Sequence, residues 1–156
     1  MSVEIERKFL VASTNFIAES HQKLCIKQGF LSTHKDRVVR VRVQDETGFL
    51  TIKGRSNSSG TTRFEWEKEI ALTEANQLLL LCEKEVIEKE RYLVRSNEHV
   101  FEVDVFLGVN AGLIVAEIEL SAENEVFAKP TWLGKEVTGD VRYYNASLSK
   151  TPYTNW

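Results

Sequence analysis

The stretch that decides the fold lies at the N-terminus, where residues 3–11 read Val-Glu-Ile-Glu-Arg-Lys-Phe-Leu-Val. Side chains of a β-strand point alternately to its two faces. One face of this strand therefore carries Glu4, Glu6 and Lys8, while the other is apolar except for Arg7. A single strand of this kind is most simply half-exposed, with solvated charges. The pattern becomes informative because it recurs in most of the later strands.

Seven further strands are predicted from alternating β-branched and aromatic residues, near 26–32, 37–44, 48–54, 62–71, 86–96, 99–107 and 113–121. Their charged faces carry the bases Arg40, Arg42, Lys53, Lys89 and Arg91, and the acids Glu65, Glu67, Glu102, Asp104, Glu117 and Glu119. Arg, Lys and Glu are poor strand formers, so their concentration in strands favours a sheet closed around a charged, wet interior. Eight short antiparallel strands make a barrel the natural architecture, although an open sheet with one wet face also fits the alternation.

Helices are expected beside these strands, which makes the fold class α+β, mainly β. They are predicted near 14–22, from an N-cap at Thr73 to about Lys84, between Ser121 and Pro130, and near 144–149. The cluster from Leu78 to Leu81 is expected to be the buried part of the second helix. Hairpin turns are expected at 45–48 and 96–98, where Asp, Asn and Gly are typical of turns.

The composition is that of one globular domain over residues 1–156, with 42% hydrophobic and 28% charged residues. A formal net charge of −3 argues against a nucleic-acid partner. Cys25 and Cys82 form no disulfide framework, which indicates a reducing compartment. Because no apolar run approaches the roughly 20 residues of a membrane span, we expect a cytoplasmic protein without a membrane partner. Three scattered histidines do not predict a zinc site.

The charged faces point to a polyanionic ligand bound together with a divalent metal. Hard cations such as Mg²⁺ take oxygen ligands and retain waters. Arg and Lys side chains bind phosphate oxygens. Carboxylates alone would repel a polyphosphate, whereas cations alone could not place a metal.

The sequence resembles the CYTH domain family, also called triphosphate tunnel metalloenzymes, along its whole length. Glu4-Ile5-Glu6-Arg7-Lys8 matches the family's ExExK signature. Further matches are Arg40-Val41-Arg42, Lys53, Glu65-Trp66-Glu67, Lys89-Glu90-Arg91-Tyr92, Glu102-Val103-Asp104, Glu117-Ile118-Glu119 and the tail from Gly134 to Asn145. The resemblance implies an eight-stranded antiparallel β-barrel, a tunnel that binds a triphosphate-bearing small molecule with Mg²⁺ or Mn²⁺.

The resemblance also implies roles for individual residues. Metal-side carboxylates are Glu4, Glu6, Glu117 and Glu119, with Glu65, Glu67, Glu102 and Asp104 as second candidates. Phosphate binders are Lys8, Arg40, Arg42, Lys53, Lys89 and Arg91, with Arg142 as a weaker addition outside the strands. Lys89, Glu4 and Glu6 are the residues expected to be catalytic.

One position departs from the family pattern. Many short bacterial relatives have tyrosine where this chain has Phe30, and that phenol is thought to pair with the lysine corresponding to Lys89. Phenylalanine can neither donate nor accept a hydrogen bond. A mechanism that uses a tyrosine–lysine pair therefore does not transfer to this chain.

The leading functional hypothesis is metal-dependent hydrolysis of inorganic triphosphate or a small organic triphosphate. A class IV-type adenylate cyclase is the runner-up, although no adenine pocket is identifiable from the sequence. A non-catalytic binder of polyphosphate or nucleotide is the third, and the absence of the tyrosine hydroxyl keeps it open. The remaining alternative is a carrier of a small ligand, an eight-stranded barrel whose lumen is lined by apolar side chains. Homodimer formation is left open, with Trp132, Tyr153 and Trp156 as interface candidates.

Overall fold

The computed structural model describes residues 2–156. Its strands are β1 (Ser2–Val11), β2 (Gln22–Ser32), β3 (Arg37–Gln44), β4 (Thr47–Gly54), β5 (Thr62–Ile70), β6 (Glu83–Ser96), β7 (His99–Phe106), β8 (Ile114–Glu119) and β9 (Leu133–Glu136). Its helices are α1 (Phe16–Glu19), α2 (Leu72–Leu79) and α3 (Asn145–Lys150). Short 3₁₀ turns occur at Gly108–Asn110, Val141–Tyr143 and Tyr153–Asn155.

β1 closes the barrel because its two halves pair with different neighbours. Residues 2–5 pair with β5, and residues 6–9 pair with β8. Around the ring the strands follow the order β1-β5-β4-β3-β2-β6-β7-β8, and all neighbours are antiparallel. The predicted eight-stranded antiparallel barrel and its mainly β class are confirmed. The short strand β9, which the sequence did not predict, pairs with the end of β1 at Phe9 and Val11.

Apolar side chains on the outer faces of the strands form a core between the barrel and the segments that cover it. Phe9 of β1 and Phe101 of β7 belong to this core, together with Phe16 of α1 and the fully buried Trp132. The ring of Trp132 makes edge-to-face contacts with Phe16 and Phe101. The outward apolar face predicted for these strands is therefore a buried core on this side of the barrel.

The helix α2 covers the outer face of β3 and β4, but it is shorter than predicted. Its N-cap is Ala71, two residues before the predicted Thr73, and Glu74 accepts a hydrogen bond from the Ala71 backbone N–H. Because the helix ends at Leu79, only the first part of the predicted leucine cluster packs inward. Leu80 and Leu81 are 86% and 72% exposed, so the prediction that they are buried is wrong.

The predicted helix between residues 121 and 130 is absent from the described chain. The segment instead lies along the barrel as an irregular strap. Glu125 holds it by accepting hydrogen bonds from the Ser121 backbone N–H at 2.6 Å and from the His99 ring at 2.5 Å. Phe127 packs against Phe9 and Phe101. These contacts with the barrel replace the internal hydrogen bonds that a helix would have made.

The remaining boundaries differ by a few residues. The helix predicted at 14–22 is a single turn, because β2 already begins at Gln22, which pairs with Leu93 of β6. Both predicted hairpin turns occur, and their residues Asp45 and Asn97 adopt positive φ angles of 52° and 56°. Within residues 2–156, no helix has the length and apolar character needed to cross a bilayer.

The inside of the barrel changes from charged to apolar toward one end. On five strands, the inward-facing residue two positions away from a polar or charged side chain is apolar. These residues are Phe30, Val38, Ile87, Phe106 and Val115. Leu148 of α3, which is completely buried, and Tyr143 pack against this set. The helix α3 therefore fills one end of the lumen. This packing leaves the charged middle of the barrel as the wall of a cavity.

Candidate functional site in the barrel lumen

The charged part of the lumen encloses a cavity of about 500 Å³. Its wall includes the predicted site residues Glu6, Lys8, Arg40, Arg42, Lys53, Lys89, Arg91 and Glu117. Glu4 lies in an adjoining recess, where it is joined by Arg63. Six strands thus bring side chains that are far apart in sequence to one closed space. Strand parity predicted that they share a face, and barrel closure makes that face an enclosed wall.

The cations of the wall are withdrawn from water and depend on fixed partners. Lys89 and Asp104 are each only 1% exposed, and their Nζ and Oδ2 atoms are 2.7 Å apart. Arg91 donates to both oxygens of Asp104, at 2.7 Å and 2.9 Å. Burial favours the neutral acid, but Arg91 and Lys89 outweigh it and lower the pKa of Asp104 to about 2. In this arrangement Asp104 holds two cations in place.

The pKa of the Lys89 ammonium lies close to neutral pH. The pKa of Lys89 is lowered to about 7, and burial is the largest cause. The attraction of Asp104 opposes this shift, whereas repulsion from Arg91 and Arg42 adds to it. Its ammonium lies 5.3 Å from the centre of the Phe106 ring. A group of this kind can carry or release a proton close to physiological pH.

Glu6 lies beside Glu117 where β1 meets β8, and the Glu4 carboxylate also acts on it electrostatically. Burial, and then the neighbouring Glu117 and Glu4 carboxylates, raise the pKa of Glu6 to about 8. Burial also favours protonated Glu117, but Lys8 and the Arg91 guanidinium hold the pKa of Glu117 well below its usual range. Glu6 is therefore the carboxyl that takes up a proton to relieve the mutual repulsion.

Glu4 is ionised because it faces cations. Burial opposes its charge, yet Lys53, at 2.9 Å and 3.1 Å from its two oxygens, lowers the pKa of Glu4 to about 2, with help from Arg63. A hydrogen bond with Glu4, followed by burial, raises the pKa of Glu65 to about 7. One proton between these two acids therefore lies close to Lys53.

Glu119, predicted as a metal-side carboxylate, and the second candidates Glu67 and Glu102 lie at the rim and not in the cavity wall. Glu67 accepts a hydrogen bond from Thr51 at 2.7 Å, and Glu102 accepts one from Arg91 at 3.0 Å. Glu119 is exposed, and it lies opposite Glu6 in the β1–β8 register. These side chains are close enough to surround the acidic end of the lumen, but they are more accessible to water than Glu4 or Asp104.

The donor set of the acidic end fits a hard divalent cation. Carboxylate oxygens suit Mg²⁺ or Mn²⁺, and Mg²⁺ is usually held by one or two carboxylates with waters and substrate phosphates completing its shell. Over residues 2–156, no three acidic, histidine or cysteine side chains have converged into a ready-made metal cage. The arrangement fits a cation that is held jointly by the protein and a phosphate ligand.

Arg142 and Phe30, which the sequence analysis singled out, differ in their position relative to the cavity. Arg142 is on the surface, where it donates to Asp140 at 2.8 Å and lies over the Trp156 ring. It is not part of the cavity wall. Phe30 does line the cavity and is nearly fully buried, at the apolar end of the wall that also includes Lys89.

The structure adds site residues that the sequence reasoning did not select. Arg63 alternates with Glu65 on β5, so strand parity could have found it. Tyr144 has the Lys8 ammonium 5.2 Å and the Arg63 guanidinium 5.8 Å from its ring centre. Asn145 accepts a hydrogen bond from Lys89 at 2.9 Å. No periodicity could have placed Tyr144 and Asn145 in the cavity, because they follow the last strand.

A loop and the C-terminal segment meet over the cavity. Gly60 and Gly139 have φ angles of +76° and +80° and approach so closely that a Cβ atom on Gly60 would collide with the Gly139 backbone. Glu123 from the strap accepts hydrogen bonds from Thr61 and from Asn57, the latter at 3.1 Å. The loop at 55–61, between β4 and β5, is thereby fixed as part of the cavity's cover.

Comparison with known proteins agrees with this geometry. The inorganic triphosphatase of Acetivibrio thermocellus is 50% identical over 157 aligned residues, which cover 100% of this chain and 99% of that protein. The inorganic triphosphatase of Nitrosomonas europaea is 37% identical and covers 94% of this chain and 96% of its own length. The crystal structure of an inorganic triphosphatase, 35% identical, superposes with a TM-score of 0.66 over 94% of this chain and 97% of that chain.

The match to a family model spans nearly the whole barrel. The model of the CYTH domain aligns with residues 2–153, which include every strand of the ring and the plug α3. With the ExExK residues of β1 placed in a closed, charged lumen, this chain belongs to the CYTH domain family.

Proposed function

We propose that this protein is a divalent-cation-dependent triphosphatase that hydrolyses inorganic triphosphate. The observation that carries the proposal is the cavity wall, where buried cations stand opposite a cluster of carboxylates. Two relatives that are 50% and 37% identical are inorganic triphosphatases, which supports the same activity for this chain. Hydrolysis of inorganic triphosphate consumes water and gives pyrophosphate and phosphate.

The basic side chains would bind and orient the substrate. Phosphoryl transfer needs mainly positioning and stabilisation of charge on the phosphoryl oxygens. Arg40 supports this role because its buried Nε has no hydrogen-bond partner among residues 2–156, which leaves a donor for a phosphate oxygen. Lys8, Arg42, Lys53 and Arg91 would complete the phosphate site from the other strands.

Glu4, Glu6, Glu117 and Glu119 would hold the divalent cation at the acidic end. When bound, such a cation neutralises phosphate charge and lowers the pKa of a coordinated water. Glu65, Glu67 and Glu102 would act from the rim, while Asp104 would keep Lys89 and Arg91 aimed into the cavity. Burial, and then repulsion from Glu117 and Glu4, raise the pKa of Glu6 to about 8, and a bound cation would relieve that repulsion.

Lys89 would act next to the substrate as the titratable cation of the site. With a pKa of about 7 it can hold a proton at Nζ beside a phosphate oxygen. Phe30 offers no hydroxyl for this purpose. We therefore assign proton handling on this side of the cavity to Lys89 without a tyrosine partner.

The proposal is tested by phosphate release from inorganic triphosphate, pyrophosphate, ATP and thiamine triphosphate, each with Mg²⁺, Mn²⁺ or a chelator. Cation-dependent release that is fastest with inorganic triphosphate is the expected result. Cyclic AMP in the ATP samples would assign the cyclase function instead. Tight triphosphate binding without turnover under either cation would assign a binding protein.

A cytoplasmic location, the lack of a nucleic-acid partner and homodimer formation stay predictions. The free cysteines Cys25 and Cys82 support a reducing compartment. Trp132 is buried in the core and is unavailable to a partner, whereas Phe64 and Trp66 are 37% and 41% exposed on the outside of β5. Sedimentation velocity at several concentrations measures the oligomeric state.

A further inference from the structure

An amide side chain outside the strands links two cations of the cavity. Asn145 is the first residue of α3, and its Oδ1 accepts hydrogen bonds from Lys89 Nζ at 2.9 Å and from Gln28 Nε2 at 2.8 Å. Gln28, which is fully buried on β2, accepts at Oε1 a hydrogen bond from Arg42 Nε at 2.8 Å. A continuous hydrogen-bonded chain therefore runs from Arg42 on β3 to Lys89 on β6 through one residue of the C-terminal helix.

The chemistry of the partners fixes the orientation of both amides. Lys and Arg side chains only donate hydrogen bonds, so the amide oxygens of Asn145 and Gln28 must face them. If either amide were flipped, its NH₂ group would face a buried cation. Gln28 can then satisfy Asn145 only with its own NH₂ group, which is the observed contact. Donation therefore runs inward from both cations and converges on the Oδ1 atom of Asn145.

Two fixed acceptors determine where the Lys89 ammonium points. Of its three N–H donors, one is taken by Asp104 at 2.7 Å and one by Asn145 at 2.9 Å. The remaining N–H is available to a ligand, because Lys89 lines the cavity and the neighbouring Phe106 ring offers no oxygen or nitrogen acceptor. With Asp104 alone, the ammonium could rotate about a single contact.

The position of Asn145 depends on the packing of the plug. Leu148 and Ser149 of α3 are 0% and 1% exposed, and Leu148 packs against the apolar end of the lumen. The packing of α3 in the end of the barrel therefore places the Oδ1 atom of Asn145 next to the Nζ atom of Lys89.

We propose that Asn145 is a positioning residue for triphosphate turnover, which aims Lys89 directly and Arg42 through Gln28. This inference rests on the proposed triphosphatase function. It makes α3 part of the catalytic arrangement as well as a plug of the barrel.

The test compares steady-state kinetics of wild type, Asn145→Ala and Asn145→Asp with inorganic triphosphate. Misplacement of a reacting group by a fraction of an ångström to an ångström costs up to about 100-fold, so we expect Asn145→Ala to lower kcat by roughly 10- to 100-fold with a much smaller change in KM. Asn145→Asp keeps the acceptor oxygen, so kcat should recover toward wild type, while KM rises because the carboxylate repels the polyanion. Asn155→Ala, an exposed asparagine of the same terminal segment, is the control and should leave both parameters unchanged.

A double-mutant cycle with Lys89→Ala separates positioning from plugging. If Asn145 acts mainly through Lys89, its replacement by Ala should cost much less in the Lys89→Ala background, and the loss that remains there measures the route to Arg42 through Gln28. The same factor in both backgrounds would overturn the proposal, as would full kcat in Asn145→Ala or a loss of kcat that follows a fall in melting temperature. An inactive wild-type protein would remove the proposed function and this inference together, whereas an active wild type with an unaffected Asn145→Ala variant removes the inference alone.

Discussion

Glu6→Gln should stabilise the metal-free protein at neutral pH. Glu6 is held among Glu117 and Glu4, and its pKa is raised from 4.5 to about 8 in the folded state. Between these two values the folded protein binds a proton that the unfolded chain has released, so the free energy of unfolding falls as pH rises through this window. Glutamine is of nearly the same size, remains neutral and can donate to Glu117 as protonated Glu6 does.

The magnitude follows from the width of the window. One pKa unit corresponds to about 1.4 kcal/mol, so protonation of Glu6 in the folded state should cost wild type about 3 kcal/mol between pH 5 and pH 7. Glu65, whose pKa is raised to about 7, contributes with the same sign in both proteins. The quantity to compare is therefore the difference between wild type and Glu6→Gln at each pH.

The assay is urea unfolding in the presence of a chelator at pH 5, 6, 7 and 8. Urea is preferred to guanidinium chloride because salt would screen the repulsion. Glu6→Gln should gain on wild type as pH rises, and the gain should level off above pH 8. Glu98→Gln, a change at an exposed turn carboxylate, is the matched control and should follow wild type. Identical pH profiles for wild type and Glu6→Gln, or a less stable variant at pH 7, would refute the reasoning.

Three further predictions concern the cavity wall. Phe30→Tyr places a hydroxyl on the wall that Lys89 also lines and should raise triphosphate turnover a few-fold without removing cation dependence; an unchanged or lower rate in the phosphate-release assay would show that this position does not limit the reaction. Asp104→Asn leaves two buried cations without their shared carboxylate and should destabilise the fold by about 3–5 kcal/mol, measured by urea unfolding; a loss below about 1 kcal/mol would contradict that. Arg40→Ala should weaken binding of inorganic triphosphate roughly tenfold in calorimetry at low salt, with a smaller effect at high salt, and equal affinities in wild type and variant would argue against a phosphate contact.

Strand periodicity was informative wherever a residue belongs to the barrel ring. Lys8, Arg42 and Glu117 could be assigned to one face because side chains of a strand alternate strictly. The same rule could not show that their rows continue into apolar residues such as Phe30 and Phe106, which bind the plug and not a phosphate. It also could not show that both oxygens of Asp104 pair with Arg91 and Lys89, which distinguishes Asp104 from the carboxylates that could bind a metal.

Segments outside the ring were predicted less well, because their conformation depends on contacts with the barrel. The strap at 121–130 has the composition of a short helix. In the structure, however, Phe127 packs against Phe9 and Glu125 forms a hydrogen bond with His99 of the barrel. Leu80 and Leu81 follow an apolar pattern, yet α2 ends before them.

The sequence by itself determined the eight strands of the ring, the face on which each of their charges lies and the chemistry of the ligand that those charges suit, since all three depend on local alternation and residue type. Only the tertiary structure decided that β1 pairs with both β5 and β8, that α3 fills one end of the lumen and that Asn145 meets Lys89. These outcomes depend on contacts between residues distant in the chain. Local propensity carries no information about such contacts, because their free energy comes from burial and pairing in the closed barrel.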